Sequence, residues 1–84
     1  MTVHLEIPES IARSLRIPAP EMAPRLRTEL AVALYSQGLL SFGKASELAD
    51  VSRYSFAELL AHREIPRHYT EEELAQDLGY ARGQ

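Results

Sequence analysis

The chain has 84 residues, a formal net charge of −3 and no cysteine. This length suits one small domain, or two half-domains that stabilise each other, and the lack of thiols excludes disulfides and thiolate metal sites. No apolar run approaches the ~18 residues of a membrane span, and the N-terminus lacks the basic and apolar regions of a signal peptide, so we expect a cytoplasmic protein.

The charge is unevenly distributed. Residues 1–67 are neutral, with eight acidic and eight basic side chains, whereas residues 68–84 carry four acidic side chains and one basic side chain. A stand-alone DNA-binding protein usually has a basic patch, because phosphate contacts dominate its affinity. Any DNA binding by this chain must therefore be local, multivalent or assisted by a partner.

The first segment alternates between polar and apolar residues, which predicts a half-buried strand over Thr2–Ile7, ended by Pro8. A short helix is expected to follow, to about Leu15. A single strand has unpaired edges and is not stable alone. We therefore expect it to pair, antiparallel, with the same strand of a second copy.

The next predicted element is a long helix from about Ala23 to Gln37, closed by Gly38. One apolar stripe is formed by Leu26, Leu30, Ala33 and Leu34, and it is broadened by Ala31, Val32 and Tyr35. A helix this widely apolar requires burial on two sides, against its own domain and against a neighbour. The order of strand, short helix and long helix resembles the ribbon-helix-helix repressors. The predicted dimerisation residues are Val3, Leu5, Ile7, Leu30 and Leu34.

Ser41 to Leu60 has the pattern of a helix-turn-helix. Ser41 and Ser52 are placed to cap two short helices, the second running from Arg53 to about Ala61. Asp50 is expected to take a left-handed turn conformation, with Val51 filling the corner. The contact positions between the helices are small or apolar, namely Ala45, Ala49, Val51, Phe56 and Leu59. The pattern predicts a DNA-binding unit, although an αα-hairpin that only packs against its surroundings has the same pattern.

Four side chains are the candidates for DNA contact. Arg53 suits a phosphate or a guanine edge, Ser52 and Tyr54 suit phosphates, and Lys44 on the preceding helix suits the DNA backbone. No Gly-rich phosphate loop is present, and the three histidines are scattered. We therefore expect no catalytic centre, no metal, no cofactor and no small-molecule substrate.

The final segment is acidic. After a break at Glu64 to Pro66, Thr70 and Glu73 form a capping box for a short helix over about Glu71 to Leu78. This helix has one narrow apolar stripe and is too short to be stable alone. It is expected either to dock on the core of its own chain, through Leu74 and Leu78, or to bind a partner.

From about Ala33 onward the sequence resembles a prokaryotic family, uncharacterised protein family 0175. The matching features are Gly38, Ser41, Gly43-Lys44-Ala45, Glu47-Leu48-Ala49, Ser52-Arg53, Phe56, Leu59-Leu60, Ile65, Tyr69, Glu72-Glu73-Leu74 and Asp77-Leu78. Ser46 departs from the usual Ala, and Asp50 and Glu64 stand where Gly is common. The family's proteins are read as antitoxins of type II toxin–antitoxin pairs, often encoded beside a PIN-domain-like ribonuclease toxin.

The resemblance implies that the C-terminal segment binds such a toxin, since antitoxins commonly inhibit through this part of the chain. A carboxylate-rich helix also suits the basic groove of a nuclease. The implied partner-binding residues are Tyr69, Glu72, Glu73, Leu74, Asp77 and Leu78.

The sequence thus predicts a mainly α protein in three parts. Residues 1–40 form a ribbon-helix-helix-like dimerisation part, residues 41–63 form the helix-turn-helix, and residues 64–84 form an acidic partner-binding segment. The leading hypothesis is a homodimeric, DNA-binding antitoxin that regulates transcription from its own promoter and neutralises a ribonuclease toxin. The alternative is a protein-interaction adaptor that does not bind DNA and uses the helix-turn-helix as a scaffold, as the absence of net basic charge favours.

Overall fold

The computed structural model describes residues 1–68, and this part of the chain is mainly helical, as predicted. Its α-helices are α1 (Glu9–Ser14), α2 (Met22–Ser36), α3 (Phe42–Ala49) and α4 (Arg53–His62), and a 3₁₀ turn (Ala19–Glu21) leads into α2. In this part of the chain, no helix is long and apolar enough to cross a membrane.

The helices begin and end where local chemistry favours it. Pro8 precedes α1, and its carbonyl accepts hydrogen bonds from the N–H groups of Ile11 and Ala12 at 3.0 and 2.9 Å. α2 ends before Gly38, which has the predicted left-handed conformation, with φ 76°. The predicted short and long helices are both confirmed, and their ends lie within one or two residues of the expected positions.

The core is an aromatic cluster between α2, α3 and α4. The Tyr35 ring lies edge-on to those of Phe42 and Phe56, with centroid distances of 6.0 and 6.1 Å. Edge-to-face packing brings the positive ring edge onto the negative ring face. The remaining core side chains are small or aliphatic: Ala31, Val32, Ala45, Ala49 and Leu60. Because Ala31 on α2 and Ala45 and Ala49 on α3 are small, the two helices approach closely.

The buried face of α2 differs from the predicted stripe. Ala31, Val32 and Tyr35 are buried, whereas Leu30 and Ala33 are exposed and Leu26 and Leu34 are only half-buried. The leucine side, which the sequence assigns in part to a neighbouring copy through Leu30 and Leu34, does not cover the aromatic cluster, and its burial against a second copy stays a prediction. α2 is apolar around most of its circumference, so periodicity does not select which face the aromatic cluster covers.

The predicted strand Thr2–Ile7 does not form within residues 1–68. Residues 1–8 are all exposed, and Val3 and Leu5 keep 70% and 71% of their side-chain surface accessible. A strand requires a second strand to satisfy its backbone N–H and C=O groups. The described single chain provides no such strand, so the segment lies along the surface without ladder hydrogen bonds.

Candidate nucleic-acid interface

The α3–turn–α4 unit is built on two serine caps, as predicted. The Ser41 hydroxyl accepts a hydrogen bond from the Lys44 N–H at 3.2 Å, and the Ser52 hydroxyl accepts one from the Ser55 N–H at 3.0 Å. Each cap satisfies an amide group that has no carbonyl partner in the first turn of its helix. The caps fix where α3 and α4 begin, and so which side chains stand at the front of α4.

The turn between these helices depends on Asp50. This residue has the predicted left-handed conformation, with φ 59° and ψ 44°. Val51 was expected to fill the corner, but its side chain is 40% exposed, so that prediction is wrong. Its backbone closes the turn instead, because the Val51 N–H donates to the Ser46 carbonyl at 3.1 Å. The Ser46 hydroxyl in turn donates to the Gly43 carbonyl at 2.8 Å, which explains why this buried position tolerates serine.

Of the four predicted DNA-contacting residues, Lys44 lies on α3, Ser52 is the N-cap of α4, and Arg53 and Tyr54 are the first two residues of α4. Tyr54 is 69% exposed and Arg53 is half-buried. Lys44 is exposed, and its Nζ lies 3.2 Å from Glu47 Oε2. An exposed i,i+3 pair of this kind is weak, so a phosphate can displace the carboxylate. The Ser52 hydroxyl already serves the cap, which assigns it to positioning the helix.

The unit carries no net charge. Residues 41–63 contain three basic side chains, Lys44, Arg53 and Arg63, and three acidic ones, Glu47, Asp50 and Glu58. Glu58 is exposed on α4, one turn after Tyr54. Any affinity for DNA must therefore come from the placement of individual cations, because the unit as a whole does not attract phosphate.

An ion pair connects the end of α4 to α2. The Arg63 guanidinium donates two hydrogen bonds to the Glu29 carboxylate, at 2.8 and 2.7 Å, and Arg25 Nε donates a third at 3.0 Å. The two hydrogen bonds from Arg63, and to a lesser extent the one from Arg25, lower the pKa of Glu29 from 4.5 to about 2. This bidentate pair holds α4 against the long helix, and sequence spacing gave no signal for it because 34 residues separate its members.

The segment after α4 packs back over the aromatic cluster. The Arg67 guanidinium carbon lies 3.7 Å from the Phe42 ring centroid, a cation–π contact. The His68 N–H donates to the Tyr35 hydroxyl at 2.6 Å, and His68 Nε2 lies 3.0 Å from the Tyr35 carbonyl oxygen. Ile65 also packs against the core. Nothing in the sequence indicated that this segment covers the core.

The predicted dimerisation residues are brought together in part. Val3, Leu5, Ile7 and Leu30 line one open groove between the N-terminal segment and α2, whereas Leu34 is half-buried and does not line it. The other residues of the groove are mostly apolar: His4, Ala12, Ala19, Met22, Ala23, Leu26, Arg27, Glu29 and Leu48.

The predicted partner-binding residues lie outside the described residues: Tyr69, Glu72, Glu73, Leu74, Asp77 and Leu78. The predicted helix over Glu71 to Leu78 lies there too. Within residues 1–68, no three His, Cys, Asp or Glu side chains are grouped as metal ligands would be.

Comparison with known proteins gives a consistent family match. The model of a family described as "Uncharacterised protein family (UPF0175)" matches residues 1–83, which includes the N-terminal third. A UPF0175 protein of Aeropyrum pernix is 47% identical over 78 residues, covering 93% of this chain and 83% of its own. A UPF0175 protein of Archaeoglobus fulgidus is 37% identical over 76 residues, covering 90% and 85%. The names of these relatives indicate no activity, and no solved structure matches.

Proposed function

The chain belongs to the uncharacterised protein family UPF0175, and from this premise we propose that it is a DNA-binding antitoxin that regulates its own promoter and neutralises a partner ribonuclease toxin of the PIN-domain-like type. The observation that carries the proposal is the α3–turn–α4 unit, with a serine cap on each helix and Asp50 in the left-handed turn between them. The antitoxin half rests on the resemblance of residues 33–78 to such proteins.

The recognition element in this proposal is α4. Phe56 and Leu60 are fully buried on its inner side, so its outer side presents Tyr54 and Glu58 to the surface. Arg53 stands at the first helical position, directly after the cap. In a helix-turn-helix the first residues of the second helix reach base edges in the major groove, and arginine there pairs with guanine or phosphate.

The expected affinity is modest. Two chains that each contribute Lys44 and Arg53 neutralise about four phosphates. A plot of the logarithm of the binding constant against the logarithm of the salt concentration should therefore have a slope of roughly −3.5. Glu58 lowers the affinity further wherever it faces a phosphate. The proposed regulator therefore binds its promoter at low salt and releases it as salt rises, unless a partner adds contacts.

The test is fluorescence anisotropy with the DNA upstream of the gene, at low salt, for the wild type and two arginine variants. Arg53→Ala is expected to weaken binding by about 1–3 kcal/mol, the range for a bidentate base contact. Arg13→Ala is the matched control: Arg13 is an exposed arginine on α1 that pairs with Glu9 at 2.8 Å, and its loss should leave DNA binding unchanged.

The alternative is an interaction adaptor in which α3 and α4 serve only as a scaffold. The zero net charge of residues 41–63 favours it. The wild type is tested on its own promoter at low salt, both alone and with the product of the neighbouring gene. If it binds in neither case, the DNA-binding proposal is wrong and the protein acts as an interaction adaptor. Equal weakening by Arg53→Ala and Arg13→Ala would mean non-specific binding, which also contradicts the proposal.

A further inference from the structure

The N-terminal segment exposes an unusual amount of apolar surface. Met1, Val3, Leu5, Ile7 and Ile11 are five of the nine large apolar side chains that are exposed within residues 1–68. Scattered exposed apolar residues are normal, but a contiguous patch marks an interaction site. Val3, Leu5 and Ile7 also line the same open groove as Leu26 and Leu30 of α2, so the patch is continuous with the long helix.

The backbone of this segment is available for pairing with another strand. Within residues 1–68, residues 2–7 make no backbone hydrogen bond to another part of the chain. Alternation of apolar and polar side chains is the pattern of a strand with one face buried. A covering molecule that suits both features offers a strand edge and an apolar face, and a second copy of this chain offers both.

We propose that residues 2–7 pair antiparallel with the same residues of a second copy, in the register that places Leu5 opposite Leu5 of that copy. Directly opposite residues of an antiparallel pair project to the same face. Symmetric registers that keep apolar residues opposite apolar ones are therefore centred on His4, Leu5 or Glu6. The three differ in the pairs that they form on the polar face.

The pairs on the polar face select the register centred on Leu5. It places each His4 opposite Glu6 of the other copy, so an imidazole N–H donor meets a carboxylate acceptor twice, and it pairs Val3 with Ile7. The register centred on Glu6 sets two carboxylates against each other, which is destabilising. The register centred on His4 sets two imidazoles against each other and leaves both Glu6 side chains opposite Thr2. The apolar face of the ribbon then covers the groove above Leu26 and Leu30.

This interface does not depend on the proposed DNA binding, and the chain is well suited to a direct test because it has no cysteine of its own. Single-cysteine variants are oxidised mildly at micromolar concentration, and covalent dimers are followed by non-reducing electrophoresis. Leu5→Cys should cross-link, because the Cα atoms of directly opposite residues lie about 4.5–5.5 Å apart, within the range that a disulfide spans. Val3→Cys alone should not, because in this register its two copies lie roughly 13 Å apart along the strands.

An equimolar mixture of Val3→Cys and Ile7→Cys should cross-link, since those residues face each other. Leu39→Cys, at an exposed residue of the α2–α3 loop, reports the rate of random collision. A Leu5→Cys rate no faster than the Leu39→Cys rate overturns the interface. Cross-linking of Val3→Cys alone at the Leu5→Cys rate overturns the register.

A charge exchange tests the same register without cysteine. His4→Glu puts four carboxylates on the polar face of the ribbon and is expected to convert the dimer to monomer in sedimentation velocity. Adding Glu6→Lys to His4→Glu restores opposite charges across the pair and should restore the dimer. A wild-type monomer at micromolar concentration, or a double variant that stays monomeric while its helical content is unchanged, contradicts the proposal.

Discussion

Within residues 1–68, three residues have a positive φ angle: Gly38 (76°), Asp50 (59°) and Glu64 (56°). Each follows a helix, and the N–H of the next residue donates to the carbonyl five positions earlier. These bonds are Leu39 to Leu34 at 2.9 Å, Val51 to Ser46 at 3.1 Å and Ile65 to Leu60 at 2.9 Å. All three are Schellman caps, in which glycine is usual because a side chain costs about 1 kcal/mol or more in the left-handed region.

Replacing Asp50 by glycine is therefore expected to stabilise the fold. Relief of the backbone strain outweighs the greater flexibility of glycine in the unfolded chain, for a net gain of about 0.5–1 kcal/mol in the free energy of unfolding. Gly38→Ala is the converse control. No atom lies within 4 Å of the added Cβ, so the backbone alone should lower stability, by about 1 kcal/mol.

Urea denaturation of both variants measures these changes. If Asp50→Gly instead lowers the free energy of unfolding, the prediction is wrong, and the Asp50 carboxylate stabilises the fold by more than its left-handed backbone costs.

Local chemistry is the part of the structure that the sequence predicts best. Ser41 and Ser52 cap their helices and Asp50 takes the left-handed turn, because these preferences depend on a few neighbouring atoms. Ser46 forms a local hydrogen bond of the same kind, from its hydroxyl to the Gly43 carbonyl. Val51 was mispredicted, since whether a corner side chain is covered depends on residues far along the chain.

At the scale of elements, the existence of the helices was predictable and the choice of face was not. α2 buries Ala31, Val32 and Tyr35 rather than the leucine stripe, because Tyr35 is the residue that reaches both Phe42 and Phe56. The N-terminal strand was mispredicted for a different reason. Alternation indicates which residues suit a strand, but a strand forms only beside another edge, and the described single chain has none.

The ion pair between α2 and α4 makes stability depend on pH. The folded-state pKa of Glu29 is about 2, below its ordinary value of 4.5. The stabilisation is thus present above pH 4.5 and is lost as the pH falls from 4.5 towards 2. Since the Glu29 side chain is 41% exposed, solvent screens the pair. We expect Glu29→Gln to cost only about 1 kcal/mol near neutral pH.

The measurement is the free energy of unfolding of the wild type and Glu29→Gln from pH 7 to pH 2. The difference between them should shrink through the acid range. Glu9→Gln is the matched control, because it removes a carboxylate from a pair whose side chains are 77% and 78% exposed. A difference for Glu29→Gln that is constant with pH would mean that the pair does not stabilise the fold.

At the scale of the whole molecule, residues 65–68 connect the helix-turn-helix to the acidic C-terminal part of the sequence. His68 contacts both the hydroxyl and the backbone carbonyl of Tyr35, the central residue of the core. The centroids of the two rings lie 4.7 Å apart. The partners are 33 residues apart, too far for any periodic pattern to reveal them. This contact fastens residues 65–68 to the core, and we place the start of the proposed toxin-binding part after it.

The division can be tested with two truncated chains. A chain that ends at His68 keeps the contacts of Arg67 with Phe42 and of His68 with Tyr35. Its thermal stability and promoter binding should therefore match those of the full chain. A chain that ends at Glu64 loses both contacts together with the packing of Ile65, and its free energy of unfolding should fall by about 2 kcal/mol or more.

If the acidic segment binds the toxin, the chain that ends at His68 no longer inhibits the ribonuclease, although it remains folded. The full-length Leu74→Asp, Leu78→Asp variant is the matched control, because it keeps the length of the segment and its carboxylates while removing both proposed apolar anchors. Loss of inhibition in both proteins, measured on RNA cleavage by the toxin of the neighbouring gene, assigns neutralisation to this segment. Unfolding of the chain that ends at His68 would instead mean that Leu74 and Leu78 complete the chain's own core, and retained inhibition would place the toxin on another surface.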